Sequence, residues 1–193
     1  MQDSRQKPGL AVPLRLTQPR IEPVQDATAT PEQAAALARY RSDRWPLLNI
    51  TRTLAHVPEA LDGFMPWANY VLSKRNSLSA RHREIVILRV GAKCRAGYEF
   101  AQHVRIGKRA GLTDAEIERL HKGGPDDWPE DEAVLIRAAD EVVADHFVSD
   151  ATWAELLARF SQRQAMDVVF TAAEYVMVST MLNSFGVQIE ADL

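Results

Sequence analysis

Two carboxylates and one imidazole occur in a short stretch of the sequence at spacings that suit proton transfer. Glu84 lies inside the apolar segment 83–88, and Glu99 precedes His103 by four residues. Residues four apart lie on the same face of a helix. A carboxylate at that position can orient an imidazole, fix its tautomer and raise its basicity. We therefore predict His103 as an acid–base catalyst that Glu99 orients.

The apolar residues that follow Glu84 predict a helix that is buried on most sides. A buried carboxylate must be paired, hydrogen-bonded or protonated. One interpretation is a structural ion pair, for instance with Arg81 or with an arginine from another helix. The other is that Glu84 is a second carboxylate of a proton relay with His103. The residues alone leave both interpretations open.

Helix signals surround these residues along the whole chain. Ser79 is a suitable N-cap for the Glu84 helix, Gly97 falls between the two central helices, and Gly111 is placed to end the second one. No segment has the pattern of a strand bounded by turns, so the predicted fold is all-α with about eight helices. Further helices are predicted near 31–41, 47–55, from 58, from 113, at 130–146, at 150–160 and from 161.

The chain divides into two parts by composition. Residues 1–30 contain Pro8, Pro13, Pro19 and Pro23, which disfavour both helix and central strand. They predict an extended arm, which either lies free or wraps a neighbouring subunit. Residues 31–193 are predicted to form a single helical domain.

Composition excludes several classes of function. The formal charge is -3 and the sequence pI about 6.0, with no basic stripe, which argues against a nucleic-acid partner. A single cysteine, Cys94, excludes an intrachain disulfide and a multi-thiolate metal site, and it fits a reducing compartment. Uninterrupted apolar runs stay below the roughly 18 residues of a membrane span, and the N-terminus lacks a signal-peptide pattern. We therefore predict a cytoplasmic protein without a membrane partner.

The spacing of Glu84, Glu99 and His103 resembles the carboxymuconolactone decarboxylase family, which includes the alkylhydroperoxidase D-like proteins. The similar part runs from about Leu54 to Leu120 and includes 83–88 (REIVIL), 98–105 (YEFAQHVR) and 110–113 (AGLT). The resemblance implies an all-helical, alkylhydroperoxidase D-like subunit that assembles as homotrimers or hexamers. It also implies a site for a small-molecule substrate near subunit contacts, built around Glu84 and His103.

The chain departs from the peroxidase branch of that family. There, a Cys-x-x-Cys dithiol stands between the glutamate and the histidine, but Ala96 and Glu99 occupy those two positions here, and Cys94 falls two residues earlier. A dithiol peroxidase needs a reactive thiolate and a second thiol to resolve the sulfenic acid. The decarboxylase branch is the more similar one, and it implies a cofactor-independent lyase. In such an enzyme His103 would move a proton at carbon.

Other residues complete the predicted site. Arg89, Arg95 and Arg105 are candidates for binding the carboxylates of the substrate, together with Tyr98. Cys94 supports an alternative hypothesis, a one-cysteine peroxidase that borrows an external thiol, although a single cysteine more often fills apolar space. A third hypothesis is a non-catalytic oligomeric scaffold. The remaining histidines lack the paired spacing of a metal site: His56, His82, His121 and His146.

Overall fold

The computed structural model of the protein describes residues 12–42 and 47–190. This part of the chain contains nine helices and no strand, so the all-α prediction is confirmed. The first eleven residues of the predicted arm lie outside the described residues. The helices are α1 (Pro31–Tyr40), α2 (Asn49–Leu54), α3 (Pro58–Leu72), α4 (Ala80–Lys93), α5 (Gly97–Arg109), α6 (Asp114–Lys122), α7 (Glu130–Asp145), α8 (Asp150–Arg159) and α9 (Gln162–Phe185).

Helix α4 lies at the centre of the bundle, in contact with α5, α6, α7 and α9. Its first turn is capped by Ser79, whose hydroxyl accepts a hydrogen bond from the backbone N–H of His82 at 3.0 Å. Every residue from 84 to 92 is buried. A helix enclosed in this way must satisfy its polar side chains inside the protein. The neighbours of Glu84 and Arg89 therefore decide what those two residues do.

Small residues bring α4 and α5 close together. A Cβ atom added to Gly107 would meet the side chains of Leu88 and Leu112 at 3.1 and 3.0 Å, and one added to Gly91 would lie 2.9 Å from Glu99 Oε1. Helices approach this closely where their contact faces carry no side chain. The glycines thus place the carboxylates and the imidazole of the two helices within reach of each other.

Helix α9 is unusual because its polar residues face the core. Asp167, Glu174, Tyr175 and Ser179 are buried, whereas Met166 and Met177 on the opposite side are exposed. By length and hydropathy α9 could cross a membrane. The sequence analysis did not indicate this, because it looked for a long uninterrupted apolar run and found none. Its buried, hydrogen-bonded polar face is what a core helix of a helical bundle shows.

The arm from residue 12 to residue 30 contains no helix and lies against its own chain. Val12 is buried in the main core, and the Arg15 guanidinium donates to the carbonyl of Cys94 at 3.2 Å. Gly97 has no room for a side chain because a Cβ atom would lie 2.7 Å from the backbone of Pro13. The arm therefore covers the junction between α4 and α5.

Candidate active site

A hydrogen-bonded chain of three side chains, one from each of α4, α5 and α9, forms the centre of the candidate site. His103 Nδ1 lies 2.7 Å from Glu84 Oε2, and His103 Nε2 lies 3.0 Å from the Tyr175 hydroxyl. Glu84 is fully buried, and the other two side chains are nearly so. The sequence therefore correctly indicated that Glu84 and His103 meet.

The chemistry of the groups fixes the direction of the chain. An ionised carboxylate only accepts, so the Nδ1 of His103 carries the hydrogen that is donated to Glu84. The Nε2 of the neutral imidazole then accepts the hydroxyl hydrogen of Tyr175. A base that is oriented by a carboxylate and bonded to a hydroxyl has the arrangement of a catalytic triad. In this arrangement the hydroxyl, not the imidazole, is the group left to meet a substrate.

Glu99 does not orient His103, contrary to the sequence-based prediction. Both ring nitrogens are occupied by Glu84 and Tyr175, and Glu99 Oε2 instead accepts a hydrogen bond from the Ser179 hydroxyl at 2.9 Å. The spacing of four residues places both side chains on one face of α5, but the neighbouring helices supply nearer partners. Glu84 orients the imidazole in place of Glu99, and the suggested ion pair with Arg81 is absent because Arg81 bonds Glu116 and Glu132.

The surroundings of Glu99 favour its neutral form. Burial raises the pKa of this carboxyl well above 4.5, and the nearby Glu174 and Glu84 raise it further, against a lowering by the Ser179 hydrogen bond. Its second oxygen, Oε1, is buried and has no hydrogen-bond partner among the described residues. A protonated Glu99 therefore holds a hydrogen that is not donated to any of those residues.

The tyrosine of the chain is also held in its protonated form. Burial raises the pKa of Tyr175 well above 10, and the negative charges of Glu99, Glu84 and Glu174 add to this, while Arg83 acts in the opposite direction. A neutral hydroxyl is a hydrogen-bond donor and a weak acid. Tyr175 is thus suited to deliver a proton to a strongly basic group rather than to act as a base.

The sequence-based prediction missed the contribution of α9. Tyr175, Ser179 and Glu174 lie more than 70 residues from His103 along the chain, so no local spacing connects them. The available signal was a set of polar residues recurring on one side of an otherwise apolar helix: Asp167, Thr171, Glu174, Tyr175 and Ser179. Such a stripe inside a buried helix marks either a polar network or a site.

Glu174 is the third buried carboxyl near Tyr175. Burial raises its pKa to about 7, and Trp67 moderates this rise. Neither of its oxygens has a hydrogen-bond partner of normal geometry among the described residues. The Trp67 indole still interacts with the carboxyl and lowers its pKa, which favours the ionised form. The site therefore contains two carboxyls, Glu99 and Glu174, that hold their protons more tightly than an exposed glutamate does.

Cys94 lies at the C-terminal end of α4 and is half-buried. Its thiol is hydrogen-bonded to Ser179, the residue that also donates to Glu99. Burial and the nearby Glu99 charge raise the pKa of the thiol, while Ser179 and Arg15 lower it. A raised pKa reduces the thiolate fraction, which opposes the reactivity that a peroxidase needs.

Two of the predicted substrate-binding residues hold the fold together instead. Arg89 is buried, pairs with both carboxylate oxygens of Asp140 at 2.6 and 2.7 Å, and donates to the carbonyls of Leu120 and Gly123. These bonds occupy its guanidinium, so Arg89 joins α4 to α7 and to the end of α6. A substrate would have to displace a buried ion pair to reach it.

Tyr98 is likewise a structural residue rather than a substrate-binding one. Its hydroxyl donates to Glu190 Oε1 at 2.7 Å and accepts from the backbone N–H of Ile50 at 3.5 Å. Burial, with the charge of Glu190, raises the pKa of Tyr98. These contacts tie the segment after α9 to α5 and to the start of α2.

Arg95 and Arg105, the other predicted substrate-binding residues, are exposed. Arg95 adopts a positive φ of 52° in the tight turn between α4 and α5. Neither residue takes part in the hydrogen bonds around His103.

Within residues 12–42 and 47–190, no group of three His, Cys, Asp or Glu side chains is placed to hold a metal ion. An open apolar groove of about 310 Å³ lies between α7 and α9, on the side of α9 that faces away from Tyr175.

Comparison with known proteins supports the fold. The carboxymuconolactone decarboxylase family model matches residues 58–141, which include Glu84, Glu99 and His103. A peroxidase-related protein from Ralstonia eutropha with an alkylhydroperoxidase AhpD core has 19% identity and a TM-score of 0.77, over 90% of this chain and 93% of that one. A peroxidase-related protein from a Silicibacter species has 16% identity and a TM-score of 0.71, over 99% and 97% of the two chains.

A third similar structure is a protein of unknown function from Agrobacterium tumefaciens, named as a candidate antioxidant defence protein AhpD. It has 20% identity and a TM-score of 0.65, over 72% of this chain and 95% of that one. At these identities the similarities show the fold alone. No curated protein sequence matches the chain.

Proposed function

We propose that this chain is an enzyme of acid–base chemistry on a small carboxylate or lactone, since the carboxymuconolactone decarboxylase family model matches residues 58–141. The observation that carries the proposal is the chain from Tyr175 through His103 to Glu84, with hydrogen-bond distances of 3.0 and 2.7 Å. Buried triads of this kind serve to move protons, and a purely structural role would be served by apolar residues of similar size.

The reaction that fits best is a decarboxylation that needs no cofactor. The bond between the carboxylate carbon and its neighbour breaks, carbon dioxide leaves, and the electron pair stays on the substrate as an enolate. The Tyr175 hydroxyl delivers its proton to the carbanion and becomes a phenolate. A proton from solvent, taken up at Nε2 of His103 while the Nδ1 hydrogen stays bonded to Glu84, then passes to the phenolate and restores the hydroxyl. Neutral donors near the developing charge stabilise it.

Glu99 supplies a second proton donor in this proposal. Burial and the charges of Glu174 and Glu84 raise its pKa and so favour the protonated form, and its Oε1 has no hydrogen-bond partner among the described residues. Where the surroundings push the pKa values of two carboxyls at one site apart, the protonated one can act as an acid while the other stays ionised. Glu84 then orients the imidazole, the role that the sequence suggested for Glu99, and Glu99 acts as an acid.

Turnover of small lactone carboxylates tests the proposal. The parent protein, His103→Ala and Arg105→Ala would be assayed side by side, since Arg105 is exposed on the same helix. We expect His103→Ala to lose about 10²- to 10⁴-fold in kcat, the usual contribution of a general acid–base residue. Arg105→Ala should keep the parent rate. Equal rates for all three proteins would contradict the assigned role of His103.

A second candidate function is a one-cysteine thiol peroxidase. It is favoured by the hydrogen bonds that link Cys94 through Ser179 to Glu99, a path for the thiol proton. The thiolate would attack hydrogen peroxide, forming a sulfenic acid and releasing hydroxide, and an external thiol would reduce the sulfenic acid.

Peroxide titration of Cys94, followed by mass spectrometry, separates this candidate from the first. Ser179→Ala is the matched variant because it removes the hydroxyl between the thiol and Glu99. A thiol that reacts faster than free cysteine, and loses that advantage in Ser179→Ala, would support the peroxidase. A thiol that reacts no faster than free cysteine would end this hypothesis.

We also propose that copies of the chain assemble with one another, in a reducing compartment such as the cytoplasm. The outward face of α9, with the exposed Met166 and Met177, supports an assembly because large apolar patches are usually covered. The free thiol of Cys94 supports the compartment. Sedimentation of the parent and of Met177→Glu tests the assembly, and a monomeric parent would contradict it.

A further inference from the structure

The arginines of α4 differ in what they bond. Arg81 is paired with Glu116 and Glu132, and Arg89 with Asp140. Arg83 has no carboxylate partner in the described part of the chain. A half-buried guanidinium without a counter-ion is unusual, because removing its charge from water is unfavourable unless an anion compensates for it.

The hydrogen bonds of Arg83 are also incomplete. Its Nε is buried and has no acceptor among the described residues. Its Nη1 makes one long contact, 3.5 Å, with the carbonyl of Ser73. A buried N–H without a partner is unfavourable, because it has lost its hydrogen bonds to water. An acceptor from outside the protein would remove this penalty.

Arg83 directly precedes Glu84 on α4, the helix that supplies one end of the hydrogen-bonded chain. Its positive charge acts on the Tyr175 hydroxyl, where it opposes the effects of burial and of the three glutamates. Arg83 is partly exposed, whereas Tyr175 is buried. The guanidinium is thus partly accessible from the surface, and its charge acts on the hydroxyl that donates to His103.

From these contacts we propose that Arg83 binds a carboxylate of the substrate and holds it beside the Tyr175 hydroxyl. The guanidinium presents N–H groups in a planar fork that matches the two oxygens of a carboxylate. This role is the one that the sequence assigned to Arg89, Arg95 or Arg105. The proposal rests on the acid–base function proposed above and adds the anchor that this function lacked.

The test observes Arg83 directly, by the ¹⁵N–¹H signal of its Nε–H group in the full chain. The probes are acetate, succinate, adipate and inorganic phosphate. We expect at least one carboxylate to shift the Arg83 signal saturably, and the carboxylates to act at lower concentration than phosphate. A signal that none of the probes moves, or that only phosphate moves, would overturn the proposal.

Variants give a second measurement of the same binding by calorimetry. Arg83→Met should weaken binding of the most effective carboxylate at least tenfold, and Arg83→Lys should lie between it and the parent because it keeps the charge and loses the fork. Arg105→Met is the control and should bind as the parent does. Equal binding by Arg83→Met and the parent would overturn the proposal, even if the Arg83 signal shifts.

Failure of this proposal can be told apart from failure of the proposed function. If His103→Ala matches the parent in turnover while the Arg83 signal still responds to carboxylates, the chemistry is wrong and the anion site stands. If His103→Ala is inactive and the Arg83 signal does not respond, the proposed chemistry stands and the anion site at Arg83 is wrong. With an active substrate, Arg83→Met should raise KM at least tenfold and change kcat less, and an unchanged KM would overturn the proposal.

Discussion

Glu84 and Glu99 are both buried glutamates near one imidazole, yet their surroundings are opposite. Glu84 Oε2 receives the imidazole N–H at 2.7 Å. In the described part of the chain Glu99 receives only a serine hydroxyl, and burial together with the other glutamates raises its pKa. A carboxyl beside an imidazole, which can become a cation, is stabilised in its ionised form. A carboxyl among other acids and apolar atoms is stabilised in its neutral form and can donate a hydrogen bond. The neighbour, not the residue type, thus decides the role of a buried carboxyl.

The largest effect that distinguishes the two glutamates should come from removing Glu84. Glu84→Ala leaves the Nδ1–H of His103 buried without an acceptor, so we expect the free energy of unfolding to fall by about 3 kcal/mol. Glu84→Gln keeps an acceptor and should lower it by about 1 kcal/mol. Urea unfolding at pH 7 measures both. Equal losses in the two variants would show that the hydrogen bond is not what stabilises the pair.

Glu99→Gln should have the opposite sign. The folded pKa of Glu99 is raised above the unfolded value of 4.5, so the folded state holds the proton more tightly and stability falls as the pH rises from 4.5 towards the folded pKa. Glutamine resembles the neutral acid and avoids this loss. We expect Glu99→Gln to raise the free energy of unfolding at pH 7, and to raise it less at pH 4.5. A loss of stability there would mean that Glu99 is an ionised, paired group like Glu84.

Glu174→Gln should show the smallest effect of the three, together with a defined pH window. The folded pKa of Glu174 is about 7, against 4.5 for the unfolded chain, so its contribution to stability is fully present below pH 4.5 and is lost between pH 4.5 and 7. Linkage across the full pKa difference would amount to about 3 kcal/mol. Solvent screening of this carboxyl reduces that amount, so we expect the parent to lose about 1 kcal/mol more than Glu174→Gln across this window. The difference between the two unfolding curves isolates Glu174 from Glu99, which is present in both proteins. Parallel curves would contradict the raised pKa.

Much of the fold followed from local signals in the sequence. Ser79 caps α4, the Thr113 hydroxyl and the Glu116 side chain form the capping box of α6, and Gly111 has a positive φ of 95° just after α5. These signals work because helix ends must satisfy the same few backbone groups in every protein. The run of apolar residues after Glu84 correctly indicated a helix that is buried on most sides.

The site followed from the sequence only in part. The spacing brought Glu84 and His103 together, because adjacent helices joined by a tight turn necessarily pack side by side. It did not predict Tyr175 or Ser179, which approach from a helix more than 70 residues away. It also gave no sign that Arg89, one of three candidate arginines, pairs with Asp140, because that contact depends on where α7 packs.

The sequence by itself determined the helices, their ends, and the two residues that meet across the central turn, because these depend on contacts within a few residues or between neighbouring helices. Only the tertiary structure decided which carboxylate orients the imidazole, which one keeps its proton, and which arginine has no counter-ion. Those outcomes depend on burial and on the charges of distant segments. Burial and charge act through space between residues that are far apart along the chain, so the spacing of residues in the sequence does not reveal them.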